Sequence, residues 1–233
     1  MAEVTIRAAD GGSFAGYLET PKSGKGPGIV VIQEIFGVNA VMREITDGLA
    51  GQGFTALCPD LFWRFKPGIQ ITDKTEAEWK LAIGYFQRFD VDKGVEDLKA
   101  TLATLRKHPA CAGKVGTVGF CLGGKLAYLM ATRSDVDCTV GYYAVGIQDM
   151  LGEAKSIKKP LLLHIAGKDE FVPPPAQDQI KTGLKGNPHV TLYDYPQCGH
   201  AFARPGGAHH DQAAADQAGG RSLEFFRRHL GGR

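Results

Sequence analysis

The sequence predicts an α/β fold: a mostly parallel central sheet, helices on both faces, and an antiparallel hairpin at the N-terminal edge. Three observations carry that expectation. Segments of strand and helix character alternate along the chain, as they do when crossover helices join parallel strands. The run Ile29–Ile32 is continuously β-branched and apolar, as in a strand buried on both faces. The opening segments "EVTIRAAD" and "SFAGYLET" alternate apolar and polar residues around "DGG", which reads as a hairpin.

The elements follow in order. After the hairpin, "GPGIVVIQEIFG" is the first buried strand. Val41, Met42, Ile45, Leu49 and Ala50 then recur at helical spacing over 39–51, with Gly53 beyond the end. "FTALCPDL" is a short strand stopped by Pro59, and 62–75 is irregular, with Pro67 and Gly68. Helices are predicted in "EAEWKLAIGYFQRF" and "VDKGVEDLKATLATLRKH". A strand in "GKVGTVGF" runs into a helix over 122–133. "CTVGYYAV", the first part of "KPLLLHIAGKDEFVP" and "HVTLYDYP" are strands. "PPAQDQIKTGLKG" is a helix opened by prolines, and "AADQAGGRSLEFFRRHL" closes the chain as a helix. No repeat or linker interrupts the pattern, so residues 1–233 read as one domain.

Composition narrows the function classes. A net charge of +2 with scattered basic residues gives no nucleic-acid or membrane signal. No apolar run approaches the roughly 20 residues that cross a bilayer. "MAEVTIRAADGG" has neither a basic n-region nor an apolar h-region, so a cytoplasmic protein is expected. The five cysteines, Cys58, Cys111, Cys121, Cys138 and Cys198, are odd in number and lack a CxxC pair. That argues against disulfides and against zinc, and most of these thiols read as packing residues. No metal and no cofactor is expected, and a monomer acting on a small molecule is.

In a parallel sheet, ligands sit beyond the carboxyl ends of the strands. Glu34, Asp60, Cys121, Tyr143, Asp169 and His200 all fall at or just after such ends. "GFCLGG" places Cys121 between Gly119 and Gly123, in the nucleophile-elbow pattern of the α/β-hydrolase fold, with cysteine where serine is usual. The tight strand-to-helix turn lifts the side chain above the sheet and aims helix N–H groups at a reacting carbonyl. Alone, G-x-C-x-G fits a nucleophile or a small residue closing a junction equally well. Asp169 and His200 follow in the order nucleophile, acid, histidine, each at a strand end, which favours the nucleophile. The Leu122 N–H is one oxyanion donor.

Other candidates read as structural. His164 lies inside an apolar strand, as a satisfied core histidine would. His108 and His229 sit near helix C-termini, where a cation complements the dipole. His209 and His210 have no partner ligands at metal spacing. Asp60, beside Pro59, reads as a turn residue. Glu34, at the mouth of an apolar strand, needs a partner if buried; a salt bridge to Arg43 or another arginine would supply one.

Taken together, "QEIFGVNAVMRE", "CPDL", "VGFCLGG", "VGYYAVG", "GKDEFVP" and "GHAFAR" resemble the dienelactone hydrolases (carboxymethylenebutenolidases) over nearly the whole chain. The resemblance implies a Cys121–His200–Asp169 triad and a second base, Glu34, that holds the resting thiol and takes its proton when substrate binds. It implies the Ile35 N–H as the second oxyanion donor, with Phe36 and Tyr143 as further substrate contacts. The expected reaction is opening of dienelactone to maleylacetate, in the degradation of aromatic compounds, through a thiol-bound acyl enzyme.

The family grips a substrate carboxylate with two arginines. Arg204 matches one of them; at the other position this chain carries Trp79. Arg64, Lys66 and Arg88 are the nearby cations that could compensate; otherwise other small esters or lactones become the alternative substrates. A non-catalytic, redox-sensing protein that keeps the elbow is the competing reading from another class, supported only by the five thiols. A papain-type peptidase places its cysteine near the N-terminus and does not fit.

Overall fold

The computed structural model describes residues 2–231, so residues 1, 232 and 233 of the expected 1–233 domain lie outside the described residues. Eight strands form one sheet: β1 (Ala2–Arg7), β2 (Ser13–Glu19), β3 (Gly26–Ile32), β4 (Thr55–Pro59), β5 (Cys111–Phe120), β6 (Cys138–Tyr142), β7 (Leu161–Lys168) and β8 (Val190–Gly199). Their spatial order is β1-β2-β4-β3-β5-β6-β7-β8. β1 and β2 are the expected hairpin, and β2 also lies antiparallel against β4. From β4 through β8 every pairing is parallel.

Six helices make the crossovers and the C-terminal cover: α1 (Ala40–Gly51), α2 (Glu76–Arg88), α3 (Val91–Lys107), α4 (Leu122–Arg133), α5 (Pro174–Leu184) and α6 (Gln212–Leu230). Four begin on side chains that accept a first-turn N–H: Asn39, Thr75, Asp90 and Asp211. Each such cap contributes about 1 kcal/mol. α3 and α4 pack on one another, while α1 and α6 share an apolar cleft lined by Ile45, Leu49, Leu223 and Phe226. The core is continuous through the sheet. Ile29, Val30, Val31 and Ile32 are all fully buried, as the unbroken apolar run requires.

Several boundaries differ from the sequence reading, among them β6, which stops at Tyr142 instead of running to Val145. β5 starts at Cys111, because Gly26 pairs with it across a register shift in β3. β8 runs on to Gly199, paired with Lys168 past a second irregularity. Residues Ile147–Ser156 form a 3₁₀ segment, absent from the sequence reading, that packs on α4 and α5.

Candidate active site

The elbow is built by close approach. A Cβ on Gly119 would run into the Gly123 carbonyl, and one on Gly123 into the carbonyls of Ile32 and Gln33. With both positions reduced to hydrogen, the start of α4 lies directly against the end of β3. Cys121 itself takes φ 57° and ψ −115°, a left-handed conformation that costs of order 1–3 kcal/mol for a residue with a side chain. Among the described residues, non-glycine positive φ occurs only at Cys121, Tyr143 and Ala201. All three follow the C-terminal ends of β5, β6 and β8, so backbone strain is concentrated where the candidate catalytic groups stand.

Asp169 is fixed before it meets the histidine. Its Oδ1 accepts the N–H groups of Phe171 and Val172, at 2.9 and 3.3 Å. His200 Nδ1 then lies 3.0 Å from Oδ1 and 2.9 Å from Oδ2. Both side chains are buried. Burial opposes a charged imidazole, but the Cys121 sulfur, by charge and by hydrogen bond, and the Asp169 carboxylate outweigh it and raise His200 to about 10. Cys121 stands at the N-cap of α4, where the helix dipole favours negative charge on sulfur. The N–H of Leu122, first residue of that helix, is one of those with no intrahelical acceptor.

Glu34 is buried at the end of β3, and its partner is Arg204 rather than Arg43. Arg204 Nη1 donates to Glu34 Oε2 at 3.3 Å, and Nη2 donates to Asp73 Oδ2 at 2.9 Å. Burial pushes the Glu34 carboxyl up, against the pull of the Arg204 and His200 charges. Its second oxygen, Oε1, is buried without a hydrogen-bond partner.

These groups border one cleft of about 230 Å³. Glu34, Ile35, Phe36, Trp79, Cys121, His200 and Arg204 all line it. Its size suits a small lactone or short ester better than a drug-sized ligand, which takes roughly 300–1,000 Å³. Sequence reasoning missed Asp73, Val145, Glu170 and Phe171 on its wall. Tyr143 differs from its expected place as a substrate contact. It is buried and absent from the cleft wall, with its ring edge-on to His200 at 5.1 Å and to Phe202 at 5.6 Å.

Trp79 packs between Phe36 (5.8 Å) and Phe171 (6.4 Å), which makes that wall apolar. The cations expected to compensate are engaged elsewhere. Arg64 is held by Asp97 and Asp10 at 2.8 and 2.6 Å. Arg88 donates to the Gly84 carbonyl and covers Phe65 and Tyr85. Lys66 is exposed and, like these arginines, absent from the cleft wall.

The remaining candidates resolve individually. Asp60 accepts the N–H groups of Phe62 and Gly68, which makes it the turn residue it resembles. His108 Nδ1 accepts the Ala110 N–H. His229 does not act as a helix-end cation: burial against Phe225, with Arg228 and Lys114 nearby, pushes its pKa down. His209 borders the cleft and lies 3.9 Å from Glu170, while His210 is not on its wall. Among the described residues, no group of three or more potential ligands is placed to hold a metal ion, and no helix is long and apolar enough to cross a membrane.

Comparison with known proteins converges with this geometry. Residues 14–230 match the family model described as the dienelactone hydrolase family. An Azospirillum brasilense protein provisionally named carboxymethylenebutenolidase is 50% identical over 99% of this chain and 100% of its own length. The carboxymethylenebutenolidase of Pseudomonas putida is 41% identical over 96% of this chain and 94% of its own. The fold recurs in a solved Klebsiella pneumoniae structure, with a TM-score of 0.85 at 24% identity, covering 97% of this chain and 98% of that one. It recurs again in the dienelactone hydrolase of Anabaena variabilis, with a TM-score of 0.72 at 19% identity, covering 98% and 97%. An α/β-hydrolase fold, an elbow at Cys121 and relatives of this identity lead to one conclusion: the chain belongs to the dienelactone hydrolase family and is a carboxylic ester hydrolase.

Proposed function

We propose that the protein is a cysteine-dependent hydrolase that opens small lactones and esters through a thiol-bound acyl enzyme. The observation that carries this reading is the alignment of Cys121, His200 and Asp169: an imidazole oriented by both oxygens of a fixed carboxylate, beside a thiol on a strained elbow. As substrate enters, Glu34, whose Oε1 has no other partner, draws the proton from Cys121. The imidazolium of His200 stabilises the thiolate. Sulfur attacks the lactone carbonyl carbon, and the N–H groups of Leu122 and Ile35 hold the oxyanion.

Collapse of that adduct breaks the ring C–O bond, leaving a thioester and an enolate on the same chain. The enolate, or His200 once it has given its own proton to that enolate, then takes a proton from water. The resulting hydroxide attacks the thioester carbonyl, and the C–S bond breaks to release the thiolate, which takes back the proton held by Glu34. Asp169 keeps the imidazole in the orientation both steps need.

Relatives named carboxymethylenebutenolidase make dienelactone, opened to maleylacetate in aromatic degradation, the first substrate to test. Trp79, at the position where the family resemblance implies an arginine, favours a second reading in which uncharged lactones and esters are preferred. The reaction class is tested by Cys121→Ala. Turnover of dienelactone and of 4-nitrophenyl acetate should fall by about a thousandfold or more. Mass spectrometry of the native enzyme quenched during turnover should find the acyl adduct on Cys121. Retained turnover in the variant would overturn the mechanism.

A further inference from the structure

Arg204 is the sole arginine or lysine on the cleft wall among the described residues, and both ends of its guanidinium already hold a carboxylate. Glu34 is part of the proposed chemistry. Asp73 has no part in it, yet it makes the shorter of the two bonds, and its side chain is only 19% exposed. The segment that carries Asp73 is rigidly placed. Thr75 caps α2 by accepting the Glu78 N–H at 3.2 Å, and Glu78 reaches back to the Thr72 N–H at 3.2 Å and hydroxyl at 2.9 Å. On the other side of Asp73, Lys74 Nζ donates to the Gly206 carbonyl. It also lies 3.8 Å from Asp73 Oδ1, but at 63% exposure it is a weakly held counterion. Asp73 is thus locked against the loop that follows His200, from a position 131 residues away in sequence.

The charge pattern of the cleft follows from this. Its carboxylates are Glu34, Asp73 and Glu170; facing them are Arg204, His200 and the half-exposed His209. His200 is committed to the thiol and Asp169, and His209 to the rim beside Glu170. A carboxylate arriving on a substrate would meet a guanidinium already neutralised, with an apolar Trp79–Phe36–Phe171 wall as the alternative surface. Bidentate capture of a carboxylate needs two parallel free N–H groups on one edge of the arginine. Asp73 takes one of them at the Nη2 end.

Resting on the hydrolase reading above, we propose that Asp73 is a specificity-determining residue: an internal carboxylate that occupies the Arg204 edge a substrate carboxylate would use, so that the cleft selects uncharged acyl groups. Asp73 touches neither the sulfur nor the imidazole in this arrangement. It acts by deciding what Arg204 is free to bind.

The test compares native enzyme, Asp73→Ala and Asp73→Asn on two esters with one leaving group: 4-nitrophenyl hydrogen succinate and its uncharged isostere, 4-nitrophenyl 4-methylpentanoate. The native enzyme should favour the uncharged ester in kcat/KM. Both variants should move the ratio toward the succinate ester, by about ten- to a hundredfold in Asp73→Ala, the size of one charge-assisted hydrogen bond. Binding of 2-furoate, a five-membered ring carrying a carboxylate, measured calorimetrically in the Cys121→Ala background, should tighten by a similar factor when Asp73→Ala is added. Equal losses on both esters with unchanged furoate affinity would reduce Asp73 to a structural tie and overturn the proposal, as would a native preference for the succinate ester. If furoate binding tightens but neither ester is hydrolysed, the hydrolase reading fails and the role of Asp73 stands.

Discussion

Two buried histidines, one inside a strand and one just past a strand end, do opposite things. His164 lies in β7 at 1% exposure, and His200 just after β8 at 7%. Burial works against the charged form of both. His164 meets only hydroxyls: Tyr195 Oη at 2.8 Å from Nδ1, and Ser222 Oγ at 2.9 Å from Nε2. Nothing offsets desolvation there, the Arg221 charge adds to it, and the ring is pushed down to about 3. His200 meets a carboxylate and a thiol, which outweigh the same desolvation and lift it to about 10. What a buried histidine can do is therefore set by the charge of its partners more than by the depth of its burial. Burial acts on two of the cysteines as it does on His164, pushing the Cys58 and Cys138 thiols far up as inert packing residues.

The sharpest way to break the comparison is to remove each ring. His200→Asn should lower kcat/KM on 4-nitrophenyl acetate by about 10²–10⁴-fold, the usual worth of a positioned acid–base group. His164→Phe should leave kcat/KM within about threefold while unfolding more easily by about 1–3 kcal/mol, the usual cost of buried polar atoms left unpaired. Comparable losses of activity from the two variants would show that the hydroxyl-bound ring also serves the chemistry. In native enzyme the alkaline limb should fall as pH rises through about 10, where His200 gives up its proton.

A second test reads the acid side. The folded value of His164 lies below the ordinary 6.5, so the unfolded chain takes up a proton between pH 6.5 and about 3 that the native ring refuses. By linkage, this group removes stability as pH falls through that window, by on the order of 1.4 kcal/mol per pH unit, and contributes nothing above it. Urea midpoints at pH 7, 5 and 4 should show a shallower acid loss in His164→Phe than in native protein. Parallel slopes would mean that His164 is protonated in the native state after all.

Much of this contrast is legible in the amino-acid sequence. The apolar flanks of His164 mark a core residue, and the strand-end positions of Cys121, Asp169 and His200 mark a site, because both signals are local. Glycines at 119 and 123 announce a close approach whose partner, the end of β3, also lies in a recognisable strand. The misreadings share a cause. Asp73 is one carboxylate in an irregular loop, and its meaning comes from Arg204, 131 residues on. His229 has a local argument, the helix end, that loses to tertiary burial against Phe225 and two nearby cations. Tyr143 carries a strand-end signal, yet its backbone takes a positive φ of 35° and its ring packs edge-on to His200, off the cleft wall.

The smallest effect concerns the tautomer of His164. Arg221 Nη1 donates to Tyr195 Oη at 3.2 Å, so the tyrosine's own proton is free to go to His164 Nδ1. That leaves Nε2 as the protonated nitrogen, donating to Ser222 Oγ, whose hydroxyl then donates to Tyr142 Oη at 2.7 Å. In the opposite tautomer, Tyr195 Oη would accept from both Arg221 and Nδ1–H, and the proton at the Tyr195 end of the chain, beside the arginine charge, would be the one without an acceptor. Nitrogen-15 spectra should therefore show His164 as the Nε2–H form, unchanged from pH 5 to 9, and His200 protonated on both nitrogens across that range. Ser222→Ala takes away the acceptor of Nε2–H and should cost about 1–2 kcal/mol, with activity unaffected. If His164 instead carries its proton on Nδ1, the chain runs the other way, and Tyr195→Phe should then be the more damaging of the two substitutions.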